Sequence, residues 1–345
     1  MREVLFRFVS AFLVVATGIG GWLWLAYHAL TISPLKVQGD ALHYVVKPGM
    51  TLPQVAQDLF VRGVLRQPRA LVWYARGRGK ASQIKAGEYR IEPGTTPLQL
   101  LDRLITGKVV QHVLTLIEGW TFEEVRVAVQ RHPKITQTLV GLNSDAVMGA
   151  LGLTGVHPEG WFYPETYHFP SGMSDQAFLR RAHRTMVEKL QREWAERAEG
   201  LPFRTPYEAL VLASIVEKET GMRVERPRIA GVFVRRLQKR MRLQSDPAVI
   251  YGVGEAFDGN LRRRDLQRDT PYNTYLRVGL PPTPIAMPSG DAIRAVLHPK
   301  LSDHLYFVAK GDGSHHFSAT YEEHLRAVAR YQLCRGTSDS VAVRP

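Results

Sequence analysis

The feature that most constrains this chain is a run of 23 residues without charge near its N-terminus, Phe8–Leu30. As a helix this run would be about 34 Å long, which is enough to cross the hydrocarbon core of a bilayer. Three aromatic residues crowd its far end, as interfacial residues do, namely Trp22, Trp24 and Tyr27. We therefore predict an uncleaved anchor at 8–30 and a cytoplasmic tail at 1–7, with the bulk of the chain outside the cytoplasm. A cleaved signal peptide is the alternative, but no good small-x-small cleavage site follows the run.

The charge balance indicates an acidic partner. The 345 residues carry a formal net charge of +13 with a pI near 9.9. No nucleic-acid recognition motif accompanies this charge, so nucleic acid is not an expected partner. Anionic lipid headgroups and cell-wall carboxylates fit equally well. The single cysteine excludes an intramolecular disulfide.

A pattern of about 16 residues occurs twice, 45 residues apart. The first copy begins at Tyr44 (YVVKPGMTLPQVAQDL) and the second at Tyr89 (YRIEPGTTPLQLLDRL). Each copy predicts a short strand, a Pro-Gly turn and a helix opened by a Thr-x-x-Gln capping box. The first helix should bury one apolar face, consisting of Leu52, Val55, Ala56, Leu59 and Phe60. A looser third copy follows near Gly119, where Thr121 and Glu124 take the capping positions. We assign a small strand-helix module to 41–112.

We predict that residues 113–335 form one α+β domain and that residues 336–345 form a polar, disordered tail. Apolar periodicity predicts helices over 176–198, 206–222 and 228–240. The second of these opens with Thr-Pro-Tyr-Glu at 205–208, a strong helix start. A Pro- and Gly-rich tract from Thr270 predicts a long loop of the kind that lines sites.

The helix over 206–222 carries two glutamates in an otherwise apolar sequence. Glu217 and Glu219 should lie about 200° apart around the axis, so they cannot share an environment. Glu219 has Arg223 one turn onward, which predicts an ordinary i,i+4 ion pair. Glu217 has Ala213 behind it and Gly221 ahead, so the helix offers it no cation. Glu217 is then either an acid kept protonated for chemistry or a side chain that reaches solvent near the helix end.

Several motifs occur together in a recognisable order. They are EGWFYPETY from Glu159, ASIVEKE from Ala213, RLQSDPAVIYG from Arg242, PYNTY from Pro271 and GLPPTPI from Gly279. With these motifs the chain resembles the YceG-like (MltG) family of endolytic murein transglycosylases over almost its whole length. Thr283 and Met287 depart from the family pattern, but they lie in a loop and replace no acid.

The resemblance implies a LysM-like module beside a catalytic domain with a lysozyme-like helix that carries one essential glutamate, which maps onto Glu217. Such an enzyme cleaves nascent peptidoglycan strands between MurNAc and GlcNAc and leaves 1,6-anhydroMurNAc ends. It needs no cofactor and no metal. Its implied location is the inner membrane with a periplasmic catalytic domain, and its partners are glycan strands and peptidoglycan synthases.

The remaining candidates are polar residues in the family motifs. Five of them are predicted to bind substrate: Gln244, Asp246, Tyr272, Asn273 and Tyr275. Gln244 and Asp246 are expected on a hairpin-like segment, where Asp246 would alternatively cap a turn. The histidines near 315–324 match no zinc-binding spacing. Two other functions remain open: a non-catalytic peptidoglycan-binding scaffold, and a hydrolytic muramidase with Asp246 as its second carboxylate.

Overall fold

The computed structural model describes residues 2–333, so the predicted tail at 336–345 lies outside the described residues. Within them the helices and strands follow in the order α1 (Arg2–Thr31), β1 (Leu42–Val46), α2 (Leu52–Val61), α3 (Pro68–Gly77), β2 (Gly87–Ile91), α4 (Pro97–Thr106), β3 (Gln111–Thr115), α5 (Phe122–Arg131), β4 (Ile135–Thr136), α6 (Ser144–Leu151), β5 (Thr166–Pro170), β6 (Met173–Ser174), α7 (Asp175–Ala195), α8 (Pro206–Glu219), α9 (Arg226–Gln238), α10 (Asp246–Val253), α11 (Arg263–Gln267), α12 (Gly290–Leu297), β7 (Tyr306–Ala309), β8 (His315–Ser318) and α13 (Tyr321–Val328). The mixed α+β class predicted from sequence is confirmed. The chain forms two compact units: one holds the chain up to His112 together with His168–Met173, and the other holds Val113–Tyr167 and the chain from Ser174 onward.

The N-terminal helix α1 is one continuous helix across the predicted anchor. By length and composition, its stretch Phe12–Thr31 is the one helix in the described chain that could cross a membrane. The last turn differs from the rest, because Leu30 is only 3% exposed and belongs to the core of the first unit.

The first unit confirms the repeated strand-turn-helix pattern. Strands β1 and β2 pair antiparallel, with Leu42 opposite Ile91 and Val46 opposite Gly87. Both predicted capping boxes are present, since the backbone N–H of Thr51 donates to Gln54 (2.8 Å) and that of Thr96 donates to Gln99 (3.0 Å). The two helices that these boxes open therefore begin where the sequence predicts.

Two details of this unit differ from the prediction. Phe60 is 47% exposed rather than buried with the apolar face of α2, because it lies at the C-terminal end of α2, past the last residue that packs inward. A third helix, α3, lies between the two copies and packs on α2. Its buried face consists of Leu71, Val72 and Ala75.

The second unit is organised around α8. Every residue from Ala209 to Glu217 is buried, because α7, α9, α10 and α12 all pack on this helix. The third copy of the sequence pattern opens α5, where the backbone N–H of Thr121 donates to the Glu124 carboxylate (2.7 Å). Near the C-terminus, β7 and β8 form an antiparallel pair with Phe307 opposite Phe317.

The C-terminal ends of α7, α8 and α9 lie two or three residues before the predicted ends. Deviations of this size are common for helix boundaries. Helix α8 ends at Glu219 rather than at 222 because Thr220 adopts an extended backbone (φ −146°, ψ 131°). The Thr220 hydroxyl then accepts a hydrogen bond from the N–H of Met222 (3.0 Å), which closes a local turn. The hairpin-like segment predicted around Asp246 is wrong. Asp246 and Pro247 instead form the first turn of α10, where proline is well tolerated.

Candidate active site

Helix α8 delivers two glutamates to its C-terminal end. The helix starts as predicted, with the Thr205 hydroxyl accepting from the N–H of Glu208 (3.3 Å) and proline in the first turn. Because the helix is buried over most of its length, the positions of Glu217 and Glu219 are fixed by packing on several sides. As predicted, the two carboxyl groups meet different partners.

Glu217 is held in a buried ion pair. Its Oε1 accepts from the guanidinium of Arg226 at 2.6 Å, and each of the two side chains is only 4% exposed. Its Oε2 accepts from the backbone N–H of Ser289 (2.9 Å) and from the Ser289 hydroxyl (2.5 Å). As predicted, helix α8 itself supplies no cation to Glu217, but Glu217 is not unpaired. The partner comes from α9, which the chain reaches after turning back from the end of α8.

Ser289 links this ion pair to the start of another helix. It is the N-cap of α12, and its hydroxyl accepts from the N–H of Ala292 (3.2 Å) and from Arg226 (2.8 Å). The side chains of Glu217, Arg226 and Ser289 thus bond one another in a buried cluster. This cluster links the C-terminal end of α8 to the N-terminal ends of α9 and α12. The arrangement leaves neither oxygen of Glu217 without a partner.

Arg223 does not pair with Glu219, so the predicted i,i+4 ion pair is also wrong. Helix α8 ends at Glu219, and the chain beyond it turns away from the helical path. Arg223 instead bonds Glu118 (3.2 Å) and approaches Asp291 (3.5 Å). These contacts are substantially exposed.

Glu219 has no guanidinium bonded to it within the described chain. It is partly buried, and the hydroxyl of Ser245 donates to its Oε1 at 2.6 Å. Burial raises the pKa of Glu219 from 4.5 to about 7; the Ser245 hydrogen bond lowers it, the nearby Asp246 carboxylate raises it, and Arg236 lowers it. Its Oε2 accepts no hydrogen bond from the residues described in the structure. Glu219 is therefore a carboxyl group that holds a proton near neutral pH and retains one free oxygen.

The segment opposite Glu219 contains two of the predicted binding residues. Gln244 is exposed and has a left-handed backbone (φ 54°) that non-glycine residues rarely adopt. Its side-chain oxygen accepts from Arg236 (3.3 Å). Asp246 is also exposed and accepts from the hydroxyl of Tyr275 (2.6 Å). Burial, followed by the Asp246 contact, raises the pKa of Tyr275.

The loop from Thr270 holds this segment in place. The backbone N–H of Ser245 donates to the Thr274 hydroxyl (2.9 Å), and that of Gln244 donates to the Thr274 carbonyl (3.1 Å). Ser245 is fully buried, so its polar groups meet only protein partners. Ser245 was not among the residues predicted from the sequence. The signal that could have identified it is a hydroxyl residue directly before the Asp-Pro start of a helix.

Two predicted binding residues have internal partners instead. Asn273 is fully buried, and its amide donates to the carbonyls of Leu266 (3.0 Å) and Arg268 (2.7 Å) while its oxygen accepts from the N–H of Tyr275 (3.0 Å). It stabilises the loop and presents no free polar atom. The hydroxyl of Tyr272 bonds the hydroxyl of Thr283 (2.8 Å).

A second carboxyl group with a raised pKa, that of Glu159, was not predicted from the sequence. Glu159 is 4% exposed and accepts from the N–H of Phe122 (2.9 Å) and the hydroxyl of Tyr251 (3.1 Å). Burial raises its pKa to about 7, against the opposing effect of the Tyr251 hydrogen bond. Because it is closed off from solvent, Glu159 can stabilise the start of α5 but cannot reach a polymer.

Histidines form no metal cluster in the part of the chain that the structure describes: residues 2–333 contain no group of three potential metal-binding side chains. His315 instead contacts the buried Glu225, with its Nδ1 2.7 Å from a carboxylate oxygen.

The second unit is thus an α+β domain whose central helix ends in two carboxyl groups, one in a buried ion pair and one partly accessible with a raised pKa. A profile of the YceG-like family matches residues 44–330, and the chain belongs to this family. The resemblance inferred from the sequence motifs is confirmed.

Similar proteins agree with this assignment. The endolytic murein transglycosylase of Bacillus subtilis (strain 168) is 29% identical over 308 residues, covering 83% of this chain and 83% of the relative. That of Streptococcus pneumoniae serotype 2 is 26% identical, covering 94% of this chain but only 65% of the longer relative. The crystal structure of a YceG-like protein from Listeria monocytogenes aligns with a TM-score of 0.53 and 28% identity, covering 83% of this chain and 98% of the other.

Proposed function

We propose that this chain is an endolytic lytic transglycosylase that cleaves the glycan strands of peptidoglycan. Membership of the YceG-like family and relatives named endolytic murein transglycosylases support the reaction class. The observation that carries the chemistry is the position of Glu219 at the end of α8, where its carboxyl group is only partly buried and its Oε2 has no hydrogen-bond partner among the described residues. Burial raises the pKa of this group to about 7.

We assign the acid to Glu219 rather than to Glu217. A general acid must deliver a proton to a bound substrate, so it needs an accessible oxygen and a pKa near the working pH. Glu219 meets both requirements. Both oxygens of Glu217 already accept hydrogen bonds in a buried ion pair. The sequence-based mapping of the essential glutamate onto Glu217 remains the alternative.

A lytic transglycosylase can work with one carboxyl group. Protonated Glu219 gives its proton to the glycosidic oxygen as the bond to the anomeric carbon of MurNAc breaks. The C6 hydroxyl of the same MurNAc attacks this carbon, and the Glu219 carboxylate takes the hydroxyl proton. The acid is restored, no water is consumed, and the products are a new free hydroxyl and a 1,6-anhydroMurNAc end.

The neighbours of Glu219 have distinct roles in this proposal. The Ser245 hydroxyl occupies Oε1 and so directs the proton to Oε2, the free oxygen. Asp246 disfavours the charged form of Glu219 and is itself positioned by Tyr275. Gln244 and Asp246 are exposed and can contact sugar hydroxyl and amide groups. Tyr272 and Asn273 support the loop rather than bind the glycan directly.

The cellular setting belongs to the proposal as well. The helix Phe12–Thr31 anchors the protein in the inner membrane with the N-terminus in the cytoplasm, and the catalytic unit lies in the periplasm. The strand-helix unit at 41–112 serves as a LysM-like module. Strand cleavage next to peptidoglycan synthases then ends the elongation of nascent glycans.

A matched pair of variants tests the assignment of the acid. Glu219→Gln and Glu217→Gln each remove one ionisable group, and both are assayed on isolated sacculi after their folding is compared by circular dichroism. General acid–base catalysis contributes about 10²–10⁴-fold, so Glu219→Gln should lose activity by this factor while retaining its fold. Full activity of a folded Glu219→Gln variant would reject the assignment. If neither variant loses activity, a binding scaffold explains the protein better.

A hydrolytic muramidase is the second candidate, because Asp246 lies close enough to Glu219 to raise its pKa. Hydrolysis needs such a second carboxylate to activate water or form a covalent intermediate. Mass spectrometry separates the two reactions, since transglycosylase products are one water lighter and have no reducible MurNAc end. Products that borohydride reduces at every new end would favour the muramidase.

A further inference from the structure

The N-terminal unit carries a strongly cationic surface with exposed aromatic and aliphatic side chains. The segment Val61–Lys80 contains six cationic residues and no acidic one. All six are exposed: Arg62, Arg66, Arg69, Arg76, Arg78 and Lys80. We call these side chains, together with Phe60, Val61 and Trp73, the cationic face. Neither the fold of the unit nor the proposed reaction explains why these charges are concentrated there.

Most of these cations have no partner that would neutralise them. Arg62 bonds Asp58 (3.0 Å) and Arg78 lies over the ring of Tyr74. In the described chain no carboxylate lies within 4.0 Å of the other four, which are Arg66, Arg69, Arg76 and Lys80. An uncompensated group of this size attracts anions over a distance set by ionic strength.

The cationic face also exposes large apolar side chains. Phe60 is 47%, Val61 74% and Trp73 60% exposed. On α3, the spacing of Arg69, Trp73 and Arg76 places these three side chains on one side of the helix, opposite the buried Leu71 and Ala75. A helix face that combines arginines with tryptophan is typical of segments that lie in a membrane interface.

The apolar helix α1 locates this face relative to the anchor. The rings of Trp22 and Trp73 meet edge to face, with centroids 6.0 Å apart. Leu30, about 12 Å farther along the helix axis, is buried in the core of the same unit. The last two turns of α1 therefore contact protein. The change from lipid to water then falls between Trp22 and Leu30, a stretch that also contains Trp24 and Tyr27, aromatic residues of the kind found at a membrane surface.

We propose that the cationic face lies on the membrane surface beside the anchor and binds the headgroups of anionic phospholipids. Trp73, which contacts Trp22, enters the interface, and the cations meet the phosphates. The exposed apolar residues favour a bilayer over a soluble acidic glycan, because a glycan would leave Val61 and Trp73 in water. The inference rests on α1 spanning the membrane, which is part of the proposed function.

Fluorescence quenching in vesicles tests this proposal with the full chain. The single cysteine is first removed by Cys334→Ser. A polarity-sensitive dye is then attached either at Gln67→Cys, within the cationic face, or at Ala86→Cys, the residue that directly precedes β2. The protein is reconstituted in phosphatidylcholine vesicles with or without phosphatidylglycerol, and nitroxide-labelled headgroups act as quenchers. We expect strong quenching at 67 only with phosphatidylglycerol, relieved by high salt, and little quenching at 86.

Two triple variants with equal loss of charge provide the control. Arg69→Gln, Arg76→Gln and Lys80→Gln remove three cations from the cationic face, whereas Lys47→Gln, Arg90→Gln and Lys108→Gln remove three exposed cations elsewhere in the unit. Because one cation near an anionic surface contributes about 1 kcal/mol, the first set should shift the docking equilibrium roughly a hundredfold. The second set should change it little.

Several outcomes would overturn the proposal. The first is equal quenching of the dye at position 67 with and without phosphatidylglycerol. The second is an equal change in quenching for the two triple variants. The third is a change in the fluorescence at position 67 on addition of soluble peptidoglycan fragments but not of anionic lipid. Flotation of the vesicles reports separately whether α1 is inserted, and digestion of added sacculi reports the proposed reaction. A failure of the cationic face to bind lipid is therefore distinguishable from a failure of α1 to insert and from an absence of the proposed reaction.

Discussion

Replacing Glu219 with glutamine should stabilise the protein at alkaline pH while abolishing its activity. The folded protein raises the pKa of this carboxyl group from 4.5 to about 7, chiefly through burial. Between these two values the native state binds more protons than the unfolded state, so the contribution of Glu219 to the free energy of unfolding falls as pH rises. Above pH 7 the folded protein must hold an ionised carboxylate in a site that favours the neutral acid.

The size of this effect follows from the difference in pKa. A difference of roughly 2.5 corresponds to about 3 kcal/mol at 1.36 kcal/mol for each pKa unit. Partial contact of the side chain with solvent reduces this value, so we expect a gain of about 1–3 kcal/mol for Glu219→Gln at pH 8.5. At pH 4 and below, where both states are largely protonated, the variant and the wild type should differ little.

Glu217→Gln serves as the control because the same substitution acts there with the opposite sign. It leaves Arg226 buried without its carboxylate partner, and breaking a buried ion pair in this way costs about 3–5 kcal/mol. Urea unfolding of both variants and the wild type at pH 4, 7 and 8.5, followed by circular dichroism, measures the differences. A stability difference for Glu219→Gln that stays constant from pH 4 to 8.5 would refute the reasoning.

Four further predictions concern the neighbours of Glu219 and the loop that holds them. Ser245→Ala removes a hydrogen bond that lowers the pKa of Glu219, so the alkaline limb of the pH–rate profile should move to higher pH. Activity should also fall about tenfold or more, because a hydrogen bond to a charged group contributes about 1.5–3 kcal/mol. Asp246→Asn removes a nearby negative charge, so the same limb should move to lower pH, and an unchanged limb would mean that the Asp246 charge does not act on Glu219. Tyr275→Phe should weaken substrate binding through the freed Asp246, raising KM more than it lowers kcat. Asn273→Ala should lower the free energy of unfolding by about 1–3 kcal/mol, because two buried carbonyls lose their donor, and a variant with unchanged stability would contradict the structural role of Asn273.

The local features of this fold could be read from the sequence because short-range chemistry determines them. The Thr-x-x-Gln pairs at 51–54 and 96–99 form their capping boxes within four residues. The start of α8 at Thr205 and Pro206 is equally local. The start of α10 was missed although Asp246 and Pro247 carry a recognisable helix-start signal, because the motif was interpreted as a turn.

The site could be predicted only in part because its partners are distant in sequence. Helix geometry correctly indicated that Glu217 and Glu219 meet different environments. It could not tell which environment each meets, since that depends on Arg226 after a reversal of the chain, on Ser289 72 residues away and on Ser245 26 residues away. No pattern within one helix contains that information.

The backbone at Gln244 has a consequence for attempts to improve this protein. Its left-handed conformation (φ 54°) costs a residue with a side chain of the order of 1 kcal/mol, whereas glycine adopts it freely. A redesign guided by thermal stability would therefore choose glycine at 244 and delete the exposed side-chain amide that we propose contacts the glycan. Melting temperature would then rank the variants of this loop in the wrong order, and only turnover on a glycan would show which of them is the better enzyme.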